Sequence, residues 1–472
     1  MKLRSRSGIA LLSLAVVSLF ETSAYAAKGI FNANVSPSEA LIATSTLMTI
    51  TAEIAADVVN PLIVSSVVVY ETTASGTPIA QLGRLYDDGT HGDAVAHDTI
   101  YTMQLVVNEP APRTRYIRIS AAYSGIRNRY LSPVIRTDVF APLPANLVDA
   151  ASATVQSIES SFFLNVNALG VDGARQQALT SALGNPNIGP NRVNLSGPNL
   201  SLVYHYTDPN TGFSFDIRGI AILSDPANPT DGPGRSTPAH PIPNSKSPGN
   251  DKVLIFGPGY HTADPQNAIV DHAASQFADT EFMTFSPAPP SITGGAAADL
   301  EVVKTWGEYG TVIIHTHGGL WDLNGTQEVV LVSGTSASLW NRLTYAFDLL
   351  ADRIGVAGDG RFVFYPSFVT KYVSGMKDTF LYLGACESLQ NDTLWNALSA
   401  KGAKVAFGWS ETRRSGIQWD HVCGADRSNA TPRQLFRSPF SAAGVRCCTE
   451  QNGPTWGPQC DANNANGFRR LE

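Results

Sequence analysis

Residues 311–319 read TVIIHTHGG, and residues 379–386 read TFLYLGAC. Both are short runs of β-branched, aromatic and aliphatic residues, too short for a helix, which marks them as strands. Each run ends in reactive side chains: the first in His317 followed by Gly318 and Gly319, the second in Cys386. Runs this uniformly apolar suit strands that are covered on both faces.

The segments around them alternate in type. KVLIF (252–256), TEFMTF (280–285), RFVFY (361–365) and KVAFGW (404–409) read as strands. AIVDHAASQFA (268–278), AADLEVVKTWGEY (297–309), WNRLTYAFDLLADRI (340–354) and DTLWNALSA (392–400) have helical spacing. Such alternation predicts an α/β domain over 251–411, with a mostly parallel sheet under helices on both faces.

In open α/β sheets, reactive groups gather beyond the carboxyl ends of the strands, where the loops diverge. His317 and Cys386 both stand at such ends. A thiol acts as a nucleophile when an imidazole assists proton transfer, and the two must be close in space rather than in sequence. The segment after Cys386 is read as helical, so a helix amino end would favour the thiolate. Gly318 allows close backbone approach to a substrate carbonyl and offers its N–H to a developing oxyanion, with the Cys386 N–H as second donor. His315 competes with His317 but precedes threonine, and is expected to support the strand. Glu387, Ser388 and Asp392 are given no catalytic role, since helix-end effects and capping explain the carboxylates. The plain alternative for Cys386 is a small buried hydrophobe.

These blocks resemble the caspase-like cysteine peptidases, a group that includes caspases, gingipains and separases. The family pattern is an apolar strand ending in His-Gly and a later one ending in Ala-Cys, here Ile313–Gly318 and Tyr382–Cys386. Residues 381–409, LYLGACESLQNDTLWNALSAKGAKVAFGW, look most like the gingipain-type bacterial members. The resemblance spans about 252–410 and implies a caspase-like fold, catalytic His317 and Cys386, Gly318 in the oxyanion site, a protein or peptide substrate and no required cofactor. His317 and Cys386 are further apart than is usual in that family, which implies a larger insertion within 320–370.

Towards the amino terminus, TLMTITAEI (46–54), PLIVSSVVVYETT (61–73), TIYTMQLVV (99–107), RYIRISAAY (115–123) and SPVIRTDV (132–139) are evenly spaced strand candidates with no helix between them. They predict an Ig-like β-sandwich over 27–142. Within it, LYDDGTHGDAVAHDTIYT (85–102) resembles a segment of immunoglobulin-like domains in bacterial surface proteins. Asp87, Asp88, Asp93 and Asp98 offer oxygen ligands for calcium; the alternative is a polar hairpin of Asx turns. Residues 143–250 are read as a connecting region: helical 146–163, two strands joined by DPNTG (208–212), then a Pro- and Gly-rich linker.

Residues 1–26 carry Lys2, Arg4 and Arg6, then an apolar run, then Ala24-Tyr25-Ala26, the order of a signal peptide. A secreted, periplasmic or cell-surface protein is expected, without membrane insertion after cleavage. The net charge is -7; the leader contributes +2, leaving -9, and without basic runs this argues against a nucleic-acid partner. Four of the five cysteines, Cys423, Cys447, Cys448 and Cys460, lie in the aperiodic tail 412–472. An altered reading frame near Arg413 is the expected explanation, and a disulfide-bonded terminal module the alternative. The expected function is that of an exported cysteine endopeptidase; the alternatives are a non-catalytic surface or adhesion protein on a degenerate caspase-like scaffold, and a thiol acyltransferase or amidase using the same pair.

Overall fold

The computed structural model describes residues 28–55, 57–224, 250, 252–258, 292–409 and 468–471. The expected leader, the helix at 268–278, the strand at 280–285, most of the Pro- and Gly-rich linker and nearly all of the tail lie outside the described residues. Among the described residues no helix is long and apolar enough to cross a membrane. The chain divides into two units, Met1–Pro142 and Leu143–Glu472.

The first unit is built from β1 (Ile30–Ser36), β2 (Glu39–Leu41), β3 (Thr46–Ile54), β4 (Val68–Thr72), β5 (Pro78–Arg84), β6 (Ile100–Val107), β7 (Arg113–Ala121), β8 (Tyr130–Leu131) and β9 (Ile135–Phe140). One sheet has the order β1-β3-β6 and the other β2-β9-β7-β4-β5, with β8 on β7. Alternation along β3 buries Met48, Ile50, Ala52 and Ile54 while Leu47 stays half exposed, as a strand with one covered face requires. These residues share a single core with Val69, Ile117, Ile119 and Val139 of the second sheet. Tyr123 closes it, its hydroxyl donating to the Ala55 carbonyl at 2.7 Å.

The second unit opens with helix α1 (Leu147–Leu183), in which Leu147, Ala151, Val155, Ile158 and Phe162 recur every three or four residues and are buried. Gly170, at φ 69, kinks it. The strands are β10 (Val193–Ser196), β11 (Asn199–Thr207), β12 (Ser214–Ile222), β13 (Val253–Gly257), β14 (Ile292–Gly294), β15 (Thr311–His315), β16 (Gly318–Leu323), β17 (Thr326–Ser336), β18 (Ile354–Ala357), β19 (Arg361–Phe364), β20 (Phe380–Gly384), β21 (Val405–Trp409) and β22 (Phe468–Leu471). The buried face of α1 lies on β12 and β18. Gly219 of β12 permits this approach, because a Cβ there would sit 2.7 Å from Val155 Cγ2.

The expected mostly parallel, caspase-like α/β sheet is not the architecture found. Among the described residues strand outweighs helix, 39% against 25%, and the sheets are mixed or antiparallel. One sheet runs β14-β13-β15-β20-β21-β22, with its final pair antiparallel. The larger one runs β10-β11-β12-β18-β19-β17-β16 and holds one parallel pairing, β12 with β18. The difference arises in two places. Residues 318–364, expected as an insertion with a long helix and a strand at 361–365, supply β16 to β19 through hairpins, and a short hairpin joins only antiparallel strands. Helix is confined there to Leu339–Thr344 and Ala346–Leu350, and Ile354 already begins β18. Residues 143–250, expected as a connecting region, supply α1 and the three strands β10 to β12 of the same sheet.

That larger sheet curls until its outermost strands, β10 and β16, lie near each other. Side chains from β10, β11 and the turn after β20 meet the free edge of β16. The Asp322 N–H donates to Ser201 Oγ at 2.8 Å, Asn194 Nδ2 donates to the Asp322 carbonyl at 3.1 Å, and the Leu320 N–H donates to Glu387 Oε2 at 2.9 Å. Polar groups on the open edge of β16 are thus met by side chains where a further strand would otherwise be needed.

Candidate active site

β15 and β20 are neighbours and parallel, in register from Thr311 opposite Phe380 to His315 opposite Gly384. Every residue of β20 is buried, as are the first four of β15. Parallel neighbours in register end on the same side, so the chain leaves the sheet at one rim both after His315 and after Gly384. The ladder runs one step further, with the Thr316 N–H donating to the Gly384 carbonyl at 3.2 Å.

Past that point both segments turn sharply. β17 holds the first turn: the Val332 N–H donates to the His317 carbonyl at 2.9 Å and Thr316 Oγ1 donates to the Val332 carbonyl at 2.7 Å. This exposes His317 while Thr316 and Gly318 on either side are buried. The second turn is closed by its own polar groups, Ser388 Oγ donating to the Leu383 carbonyl at 2.9 Å and the Ser388 N–H to the Ala385 carbonyl at 3.3 Å. Cys386 sits in that turn, half-buried.

The two turns touch. A Cβ on Gly318 would lie 2.4 Å from the Cys386 carbonyl oxygen and 3.0 Å from Ala385 Cβ. The expected trio, His317, Gly318 and Cys386, is therefore brought together by backbone packing. His315, the competing histidine, is half-buried on β15 itself. One expectation is corrected: Cys386 does not open a helix. Turns and bends fill 385–392, and the helix runs Thr393–Ala400, so Cys386 is outside its first turn, where the helix dipole acts. Asp392 makes no side-chain cap there; the Thr393 N–H donates instead to Asn391 Oδ1 at 3.0 Å.

Sequence reasoning sets Glu387 aside as a helix-end carboxylate. In the structure it is 8% exposed, at φ 55, and its Oε2 accepts from the Leu320 N–H at 2.9 Å and from Asn199 Nδ2. Asn199, at the start of β11, is also buried, and its Oδ1 would lie 2.6 Å from a Cβ on Gly319. The cysteine turn, the glycine start of β16 and the start of β11 meet around this carboxylate.

The four aspartates of the 85–99 loop are turned onto their own backbone. Asp87 accepts from the Asp98 and Thr99 N–H groups at 3.1 and 3.2 Å, Asp93 from Gly89 at 2.8 Å, Asp88 from Thr90 at 3.0 Å and Asp98 from Ile100 at 2.9 Å. Asp88 and Asp98, each accepting from the N–H two residues on, form Asx turns, while Asp87 and Asp93 tie the loop together over longer spans. The Thr90 hydroxyl holds the Asp88 carboxyl below its usual range. Among the described residues no group of three or more His, Cys, Asp and Glu side chains is placed to hold a metal ion.

No family model and no curated protein matches the chain.

Proposed function

We propose that the chain is an exported thiol peptidase in which Cys386 is the nucleophile and His317 its proton-transfer partner. The observation that carries the reading is the in-register parallel pairing of β15 with β20, which puts both residues at one rim. The resemblance of the His-Gly and Ala-Cys blocks to cysteine peptidases supports the same roles, and the leader-like residues 1–26 support export.

The chemistry balances with these groups and water. Cys386 Sγ attacks the scissile carbonyl carbon as its proton passes to the His317 imidazole, and the carbonyl oxygen becomes an oxyanion. The Gly318 and Cys386 N–H groups supply donors for that charge. His317 then gives the proton to the leaving amine as the C–N bond breaks, leaving a thioester. Water, deprotonated by His317, cleaves the thioester and restores the thiol.

A peptide-library digestion tests this. The secreted full chain should cleave a subset of peptides, and Cys386→Ala should abolish turnover. His317→Ala should do the same with an unchanged melting transition, because His317 is exposed and leaves no cavity. Cleavage that survives in Cys386→Ala, or its absence across the library, would contradict the proposal.

A further inference from the structure

Resting on that reading, we infer that Glu387 is a positioning residue, setting the distance between the Cys386 thiol and the Gly318 oxyanion donor. Three observations converge on it. Glu387 comes directly after the nucleophile and holds φ 55, a left-handed conformation that side-chain-bearing residues adopt only when their surroundings fix them. Its carboxylate is buried and oxygen Oε2 receives two donors from different elements, the Leu320 N–H of β16 at 2.9 Å and Asn199 Nδ2 of β11. The start of β16 beneath it is packed to contact on both sides, since an added Cβ would lie 2.4 Å from the Cys386 carbonyl oxygen at Gly318 and 2.6 Å from the Asn199 side-chain Oδ1 at Gly319.

A buried carboxylate is stable where charge-assisted donors replace the water it lost. Here the donors are the strand that begins with the oxyanion glycine and an anchor on β11. Pulling Leu320 toward the residue after Cys386 fixes Gly318, two positions upstream, against the cysteine turn. Catalysis is sensitive to such distances, because an oxyanion donor acts only within hydrogen-bond reach of the developing charge. The competing explanation is that Glu387 merely satisfies the open edge of β16. The two differ in what they predict: an edge cap changes stability, whereas a positioning residue changes the rate of the chemical step more than binding.

The test uses the full chain and an irreversible peptidyl ketone that labels the wild type, with kinact and KI read separately. Glu387→Ala should lower kinact about 10- to 100-fold with KI within about threefold, the scale expected for a misplacement near 1 Å. Hydrogen exchange at the Leu320 amide should accelerate. Glu387→Gln with its amide oxygen in the place of Oε2 still accepts from both the Leu320 N–H and Asn199 Nδ2, so it should recover to within about fivefold of wild type. If Glu387→Ala is too unstable to measure, Asn199→Ala, which removes the Nδ2 donor to Oε2, should lower kinact in the same direction. A wild-type kinact in Glu387→Ala or Asn199→Ala, or a loss in Glu387→Ala that appears only in melting temperature, would overturn the positioning role and leave the peptidase reading intact. A wild type that no ketone of a broad panel labels would remove the peptidase reading, and this role with it.

Discussion

At Gly318 the two halves of the candidate site meet, and one methyl group is enough to test whether their contact matters. With the Cys386 carbonyl 2.4 Å from where a Cβ would be, both partners being backbone, Gly318→Ala must push the β16 start away from the cysteine turn. Overpacking of this kind costs about 1–3 kcal/mol, measurable by urea unfolding, and peptide turnover should fall at least about tenfold if the oxyanion donor moves with it. Turnover equal to wild type would show that Gly318 serves packing alone. His317, Gly318 and Cys386 could be picked out from sequence because reactive side chains stood at the ends of apolar runs, a local pattern. Glu387 could not. Its carboxylate matters because of a positive φ at its own position and an open strand edge contributed by residues 67 positions earlier.

Among the elements, the strands β15 and β20 were legible as five-residue apolar runs and occur where expected. The β16–β17 hairpin carried an equally strong signal that the expected insertion concealed. Asn324-Gly325 lies between two apolar runs, and both residues adopt positive φ, 53 and 79, as a two-residue hairpin turn of the primed kind requires. The helix expected over 340–354 is divided into Leu339–Thr344 and Ala346–Leu350, and Ile354 already begins β18, because Leu, Ala and Ile suit either structure. Helix α1 makes its own prediction. Glu159 on α1 packs against the β18–β19 turn, its Oε2 2.1 Å from where a Cβ on Gly358 would be, and burial, followed by the charge of Asp359, pushes its pKa up to about 7 from 4.5. The folded state then holds the proton more tightly than the unfolded chain. The resulting stabilisation is complete below pH ~4.5 and is lost as pH rises through ~7. Glu159→Gln keeps an acceptor and has no charge to bury, so its unfolding free energy from urea titration should match wild type near pH 4.5 and exceed it at pH 8, by up to ~2–3 kcal/mol. Identical pH profiles for the two proteins would refute that burial effect.

On the scale of the whole molecule, the division at Pro142 arises from one closed core on the amino-terminal side and from α1 covering β12 and β18 on the other. In the sequence, evenly spaced strand candidates give way to helical spacing after 142. The curled seven-stranded sheet was not visible, because its pairing of β12 with β18 joins residues more than 130 positions apart and its seam is closed by single side chains, Asn194, Ser201 and Glu387. The function proposed for the molecule depends on His317 and Cys386 acting as a pair at one rim. Intact-mass analysis of wild type, Cys386→Ala and His317→Ala after exposure to a panel of thiol-directed peptidyl probes measures that most directly. The account predicts a single adduct, mapped to Cys386, on the wild type, and none on either variant over the same interval. Wild-type chain left unmodified by every probe, or His317→Ala labelled as fast as wild type, would contradict it.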